Sequence, residues 1–140
     1  MDLDDALAFA RRHSQGVLAT VGGDGRPQLS NIVFGIDDHG VVRISVTASR
    51  VKTKNLRRDP RASLYVAGGS FWSYVVLDAT AELSGVATRP DDEVVDELVS
   101  LYRTISGEHP DWGDYRRAMA AEGRLVVRLR PERAYGMVNE

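Results

Sequence analysis

No cysteine occurs among the 140 residues. Its absence excludes a disulfide, a thiolate zinc site, a thiol nucleophile and a cysteine-ligated cluster, and it fits a reducing cytosol. Histidine is scarce. The three present, His13, His39 and His109, fall at expected helix ends or turns. None has metal-ligand spacing to another histidine or an acid, and none is placed for a Ser-His-Asp arrangement. Each reads as a solvated loop residue, and no metal site is expected. Long apolar runs are missing as well: no segment approaches the roughly 18 residues of a membrane-spanning helix. The acidic start Met1-Asp2-Leu3-Asp4-Asp5 lacks the basic and apolar regions of a signal peptide. The expectation is a cytoplasmic protein with no membrane partner. A surplus of positive charge is also absent, the formal net charge being −2. A nucleic-acid binder usually carries a basic excess, so no nucleic-acid partner is expected.

Lysine is nearly absent too, and its placement is informative. Sixteen arginines stand against two lysines, Lys52 and Lys54, and both lie within residues 49–61. That stretch holds six of the eighteen basic residues and a single acid, Asp59. Its pattern predicts a strand over 41–47, a short loop over 48–50, and two helical turns over 51–58 before the Asp59-Pro60 break. A helix starting there aims unpaired N–H groups and the positive end of its dipole at whatever lies over Ser49 and Arg50. Lys52 sits in the first turn, where a cation opposes the dipole, a local conflict of the kind found at functional sites. Two readings stay open on chemistry alone: a phosphate site, or a solvated basic helix.

The remaining pattern describes a small β-rich domain spanning 1–140. A helix is expected over 2–13, with Leu3, Ala6, Leu7 and Ala10 as its apolar stripe. Strands follow over 17–21, 26–36 and 41–47. The glycines between the first two have neither P-loop nor dinucleotide spacing. A two-residue loop at Asp38-His39 would set Ser30 opposite Thr47 and Ile32 opposite Ser45. Gln28, Ser30, Ser45 and Thr47 would then form one polar patch beside the basic loop, which a one-residue slip would scatter. Further strands are expected over 61–67 and 71–85. The second has an apolar face from Ser73 to Leu83, while its other face opens with Trp72, Tyr74 and Val76. Either a partner subunit or a flat ligand must cover Trp72 and Tyr74. A helix starting at Thr88-Arg89-Pro90-Asp91 and ending at Gly107, and another over 111–121, precede a closing strand over 125–129. Residues 130–133 interrupt it, and 134–138 add an extended piece. Six or so mostly antiparallel strands suggest a barrel. If the chain is an enzyme, its hard chemistry is carried by a bound cofactor.

Three blocks are familiar in order: Gly16-Val17-Leu18-Ala19-Thr20; Asp24-Gly25-Arg26-Pro27-Gln28-Leu29-Ser30-Asn31; and Arg50-Val51-Lys52-Thr53-Lys54-Asn55-Leu56-Arg57-Arg58-Asp59-Pro60-Arg61-Ala62. Together they resemble the split-barrel flavin reductases related to pyridoxamine 5′-phosphate oxidase. Trp72-Ser73-Tyr74 and the run from Leu101-Tyr102-Arg103 to Asp111-Trp112 narrow the likeness to the branch that binds the deazaflavin coenzyme F420. The resemblance implies a mainly β (α+β) fold, a six-stranded antiparallel split barrel of the FMN-binding type with a few peripheral helices. It implies a homodimer with two cofactor sites at the subunit interface. Arg50, Lys52 and Asn55 would hold the cofactor's phosphate and nearby tail. Ser45, Val46 and Thr47 would line the ribityl and ring region, and Gln28, Ser30 and Asn31 would border the ring edge. Trp72 and Tyr74 would form the interface wall toward the partner's cofactor. The implied activity is an F420-dependent reductase passing a hydride to an unsaturated small molecule. An FMN-dependent oxidase and a non-catalytic F420 carrier are the alternatives. No general acid is assigned.

Overall fold

The structure, a computed structural model, describes residues 1–139. Seven strands, β1 (Gln15–Val21), β2 (Pro27–Val33), β3 (Gly35–Ile36), β4 (Val42–Thr47), β5 (Arg61–Ala67), β6 (Tyr74–Leu83) and β7 (Arg124–Met137), form one antiparallel sheet. Its order is β2-β1-β5-β6-β7-β4-β3. The sheet curls until β2, at one end, meets β4 near the other, which makes a split barrel. Four helices accompany it: α1 (Leu3–Ala10), α2 (Val51–Arg58), α3 (Glu93–Ser106) and α4 (Trp112–Ala121). No helix among the described residues is long and apolar enough to cross a membrane.

Alternation along the strands sets the inside of the barrel. Leu18, Ile44, Val46, Leu64, Leu77 and Leu125 are fully buried there, and α1 adds Leu7 and Phe9. A second apolar cluster joins Val95 and Leu98 of α3 and Met119 of α4 to Val126, on the outer face of β7. β7 is thus covered on both faces near its start, and α3 and α4 are fixed against its outside.

Seven strands replace the expected six because the strand predicted over 26–36 is two. β2 pairs with β1 as far as Gln15 opposite Val33. The Phe34 N–H then bonds to the Ser14 carbonyl at 2.8 Å, its ring turns into the core, and the chain leaves β1 to join β4. The register at that junction also corrects the expectation. Gly35 lies opposite Arg43 and Ile36 opposite Val42, closed by a three-residue loop in which the Asp37 N–H bonds to Val41 O at 3.0 Å. The reason is local: Gly40 takes φ of 80°, and Asp37 Oδ1 accepts the N–H groups of His39 and Val41 at 2.8 and 3.0 Å. This is the one-residue slip that separates the anticipated polar patch. Gln28 and Ser30 stay with Ile32 on the barrel side of β2, while Asn31 and Val33 share the outer side with Ser45 and Thr47 of β4.

Smaller expectations also change. α1 ends at Ala10 rather than His13, and α3 begins at Glu93 rather than Thr88, because Asp92 Oδ2 accepts the N–H groups of Thr88 and Arg89 at 2.8 and 2.9 Å and holds that stretch as a turn. β6 starts at Tyr74 rather than Phe71, because a turn in which the Ser73 N–H bonds to Ser70 O at 3.0 Å lifts Phe71 and Trp72 out of the sheet. β7 runs unbroken through 130–133. Pro131 pairs with Ala79 and Arg133 with Asp78, leaving Glu132 as a bulge. Pro131 is tolerated because β7 pairs with β4 only as far as Leu129, so its other edge is open there.

Candidate functional site

The site grows from the end of β4. Thr47 closes the strand, the Ala48 N–H bonds to Gly123 O at 3.1 Å, and α2 begins after Arg50. The Thr53 hydroxyl, fully buried in α2, donates to the Thr47 carbonyl at 2.7 Å and locks helix start to strand end. Arg50 occupies the N-cap without a side-chain cap bond, so the first N–H groups of α2 are left for an external acceptor.

β7 runs antiparallel to β4 and sets Arg124 opposite Thr47 and Val126 opposite Ser45. Arg50, Lys52 and Arg124 therefore gather around the same helix end. Lys52 feels the crowding: burial foremost, then the charges of Arg50 and Arg124, holds its ammonium below the usual lysine range. Arg124 is partly balanced by Glu122 at 3.1 Å. Among the described residues neither Arg50 nor Lys52 has a carboxylate within ion-pair distance.

Below these cations lies a cleft of about 390 Å³. Ser45, Val46 and Thr47 line one wall and Asn31 and Val33 the end where β2 approaches. Tyr102 and Ile105 of α3, with Tyr115 of α4, form the opposite wall. The Tyr115 hydroxyl donates to Leu98 O at 3.1 Å, which ties α4 to α3. The Thr47 Oγ1 is buried and has no hydrogen-bond partner, the single such side-chain atom among the described residues. An orphaned hydroxyl, an uncapped helix start and three converging cations suit an oxyanion with further polar atoms, so the residues present fit a phosphorylated cofactor.

Of the residues singled out in the sequence, Asn31, Ser45, Val46, Thr47, Arg50 and Lys52 come together here. Gln28, Ser30 and Asn55 do not line this cleft; they belong to a hydrogen-bonded row along the barrel interior. The Asn55 side-chain amide donates to Thr20 Oγ1 at 3.1 Å and its oxygen accepts from Arg58 at 2.8 Å. Thr20 in turn donates to Gln28 Oε1 at 3.0 Å, and Gln28 donates to Ser30 Oγ at 3.0 Å. Asn55 is 4% exposed, which suits a structural link between α2 and β1. Trp72 and Tyr74 also lie apart from the cleft. Tyr74 stacks on Tyr65 at 5.5 Å, whereas Trp72 is 64% exposed and packs edge-on against Phe71, itself 83% exposed. The described residues leave Phe71 and Trp72 uncovered.

Arg124, Tyr102 and Tyr115 were missed in the sequence. Arg124 opens a strand next to Glu122 and looks like any exposed pair, Tyr102 falls within the expected α3 helix, and Tyr115 lies within the expected 111–121 helix. The expected α3 and α4 helices, joined to the pairing of β7 with β4, are the signal that leads to them.

A family model described as pyridoxamine 5′-phosphate oxidase matches residues 3–138. Among solved structures, a protein described as F420 reductase is 23% identical, with 91% of this chain and 94% of that one covered and a TM-score of 0.70. A conserved hypothetical protein from Mycobacterium tuberculosis is 24% identical over 96% of this chain and 82% of that one, also with a TM-score of 0.70. The heme storage protein HutZ from Vibrio cholerae is 17% identical over 96% of this chain and 93% of that one, with a TM-score of 0.68. At these identities the structural likeness shows the fold.

Proposed function

The chain belongs to the pyridoxamine 5′-phosphate oxidase family, and from that premise we propose that it is a coenzyme F420-dependent reductase acting on an unsaturated small molecule. The observation that carries this reading is the convergence of Arg50, Lys52 and Arg124 on the uncapped start of α2, beside the orphaned Thr47 hydroxyl. Coenzyme F420 bears a phosphate and an acidic tail, so it uses more positive charge than FMN does. The fold neighbour described as F420 reductase favours the same choice.

In this reading Arg50, Lys52 and the α2 N–H groups hold the phosphate, and Arg124 takes a second anionic group. Ser45 and Thr47 offer hydroxyls to the ribityl region, Val46 contributes backbone, and Asn31 and Val33 border the ring edge. Tyr102 and Ile105 close the far wall and exclude water. The hydride is chemistry the coenzyme supplies when bound; the protein binds, orients and desolvates. A homodimer completes the proposal. The outer sheet face exposes Leu29, Tyr65, Tyr135 and Met137 as well as the Phe71–Trp72 pair, an apolar surface suited to a second copy. Trp72 and Tyr74 would face the partner's cofactor there.

Titrating the purified protein with F420 and with FMN, followed by fluorescence, tests the reading. Tighter F420 binding is expected. Tighter FMN binding would assign an FMN-dependent oxidase instead, and tight F420 binding without turnover on quinones or enones would assign a carrier.

A further inference from the structure

A second and larger cleft, about 990 Å³, lies across β2 from the first. The two share Asn31, Ile32, Val33 and Ile105, so they adjoin along β2. The floor of the larger cleft carries the apolar side chains of Val17, Val33 and Tyr65. Its charge is one-sided. Arg11 comes in from the end of α1, and none of the described residues lining the cleft is an aspartate or glutamate. Arg11 bonds through Nη2 to the Asp37 backbone carbonyl at 3.0 Å, a neutral partner that leaves its charge uncompensated. A basic end on an apolar floor is complementary to a molecule with an apolar body and a carboxylate head.

We infer that this groove binds the hydride acceptor, and that the acceptor is a carboxylate-bearing unsaturated molecule whose head is held by Arg11. Its body lies along Val33 and Tyr65, on the face offered to the second copy, and its far end meets the cofactor cleft at Asn31. The acceptor role rests on reading the smaller cleft as the cofactor site; binding in the groove does not.

The test uses trans-cinnamate as probe and its neutral methyl ester as control, measured by calorimetry on the intact protein. Cinnamate should bind about tenfold tighter than the ester. Arg11→Gln should bring cinnamate down to the level of the ester, Arg11→Lys should restore most of the difference, and Lys52→Ala should leave it intact. Equal affinity for acid and ester, no cinnamate binding, or a loss in Lys52→Ala without one in Arg11→Gln would overturn the assignment. Arg11→Gln should also keep wild-type F420 affinity. If wild type fails to bind F420 while cinnamate still depends on Arg11, the cofactor reading falls and the groove stands.

Discussion

Arg124 lies directly opposite Thr47 in the β4–β7 ladder, and so brings a third cation to a helix start whose other two come from the adjoining turn. Its exposed ion pair with Glu122 contributes little to stability, on the order of 0–1 kcal/mol. Arg124→Gln should therefore weaken F420 binding about tenfold, the scale of one charge-assisted contact. Its melting temperature should stay within a few degrees of wild type. Fluorescence titration and calorimetry measure both.

Lys52 gives a pH signature. Its folded-state pKa is below the unfolded value of 10.5, through burial first and then Arg50 and Arg124. The unfolded chain therefore binds more protons in that window, and the penalty is complete below the folded pKa and relieved as pH rises toward 10.5. Lys52→Ala should therefore gain stability over wild type below the folded pKa, and that gain should shrink as pH rises toward 10.5. Chemical denaturation from pH 8 upward checks it, with the same slope in both proteins counting against the crowding.

Glu97 anchors α3 to the two strands that carry the site. It accepts from Arg128 Nε and Nη2 at 2.8 and 2.6 Å and from Arg43 Nε at 2.9 Å, while Arg128 also reaches Glu82 at 2.6 Å. The Arg128 bonds foremost, then Arg43, hold the Glu97 carboxyl below its usual 4.5. This contribution is complete above that value and is lost as pH falls through the folded pKa. Glu97→Ala leaves Arg43 and Arg128 facing each other across the ladder and should cost about 2–3 kcal/mol at neutral pH. Denaturant melts should show the gap between wild type and variant narrowing in acid.

Asn55 separates fold from binding. Removing its side chain takes a donor from Thr20 and an acceptor from Arg58, leaving Thr20 with Gln28 and Arg58 with the Val21 carbonyl, and cuts the row that ties α2 to β1. Asn55→Ala should lower stability by about 1–3 kcal/mol while F420 affinity, measured well below the melting temperature, stays close to wild type. A large affinity loss without destabilisation would return Asn55 to the cofactor.

These contrasts show what the amino-acid order makes legible. The basic turn, the α2 span of 51–58 and the β5 span of 61–67 follow from local chemistry: a Pro break, alternation and the one cluster of lysines. The β3–β4 register did not, because it hangs on whether the loop has two or three residues, and Gly40 with the Asp37 carboxylate decides for three. That choice exchanged Ser30 for Asn31 at the cleft. Arg124 and the tyrosines were hidden for a different reason. They reach the site through long-range pairing and helix packing, which periodicity identifies but does not orient.

The most direct test of the whole account is an F420 titration of Lys52→Ala beside wild type, with melting curves for each. The anion site at the α2 start predicts affinity at least about tenfold lower in the variant and an unchanged or raised melting temperature without ligand. Wild-type affinity in a folded Lys52→Ala would contradict it.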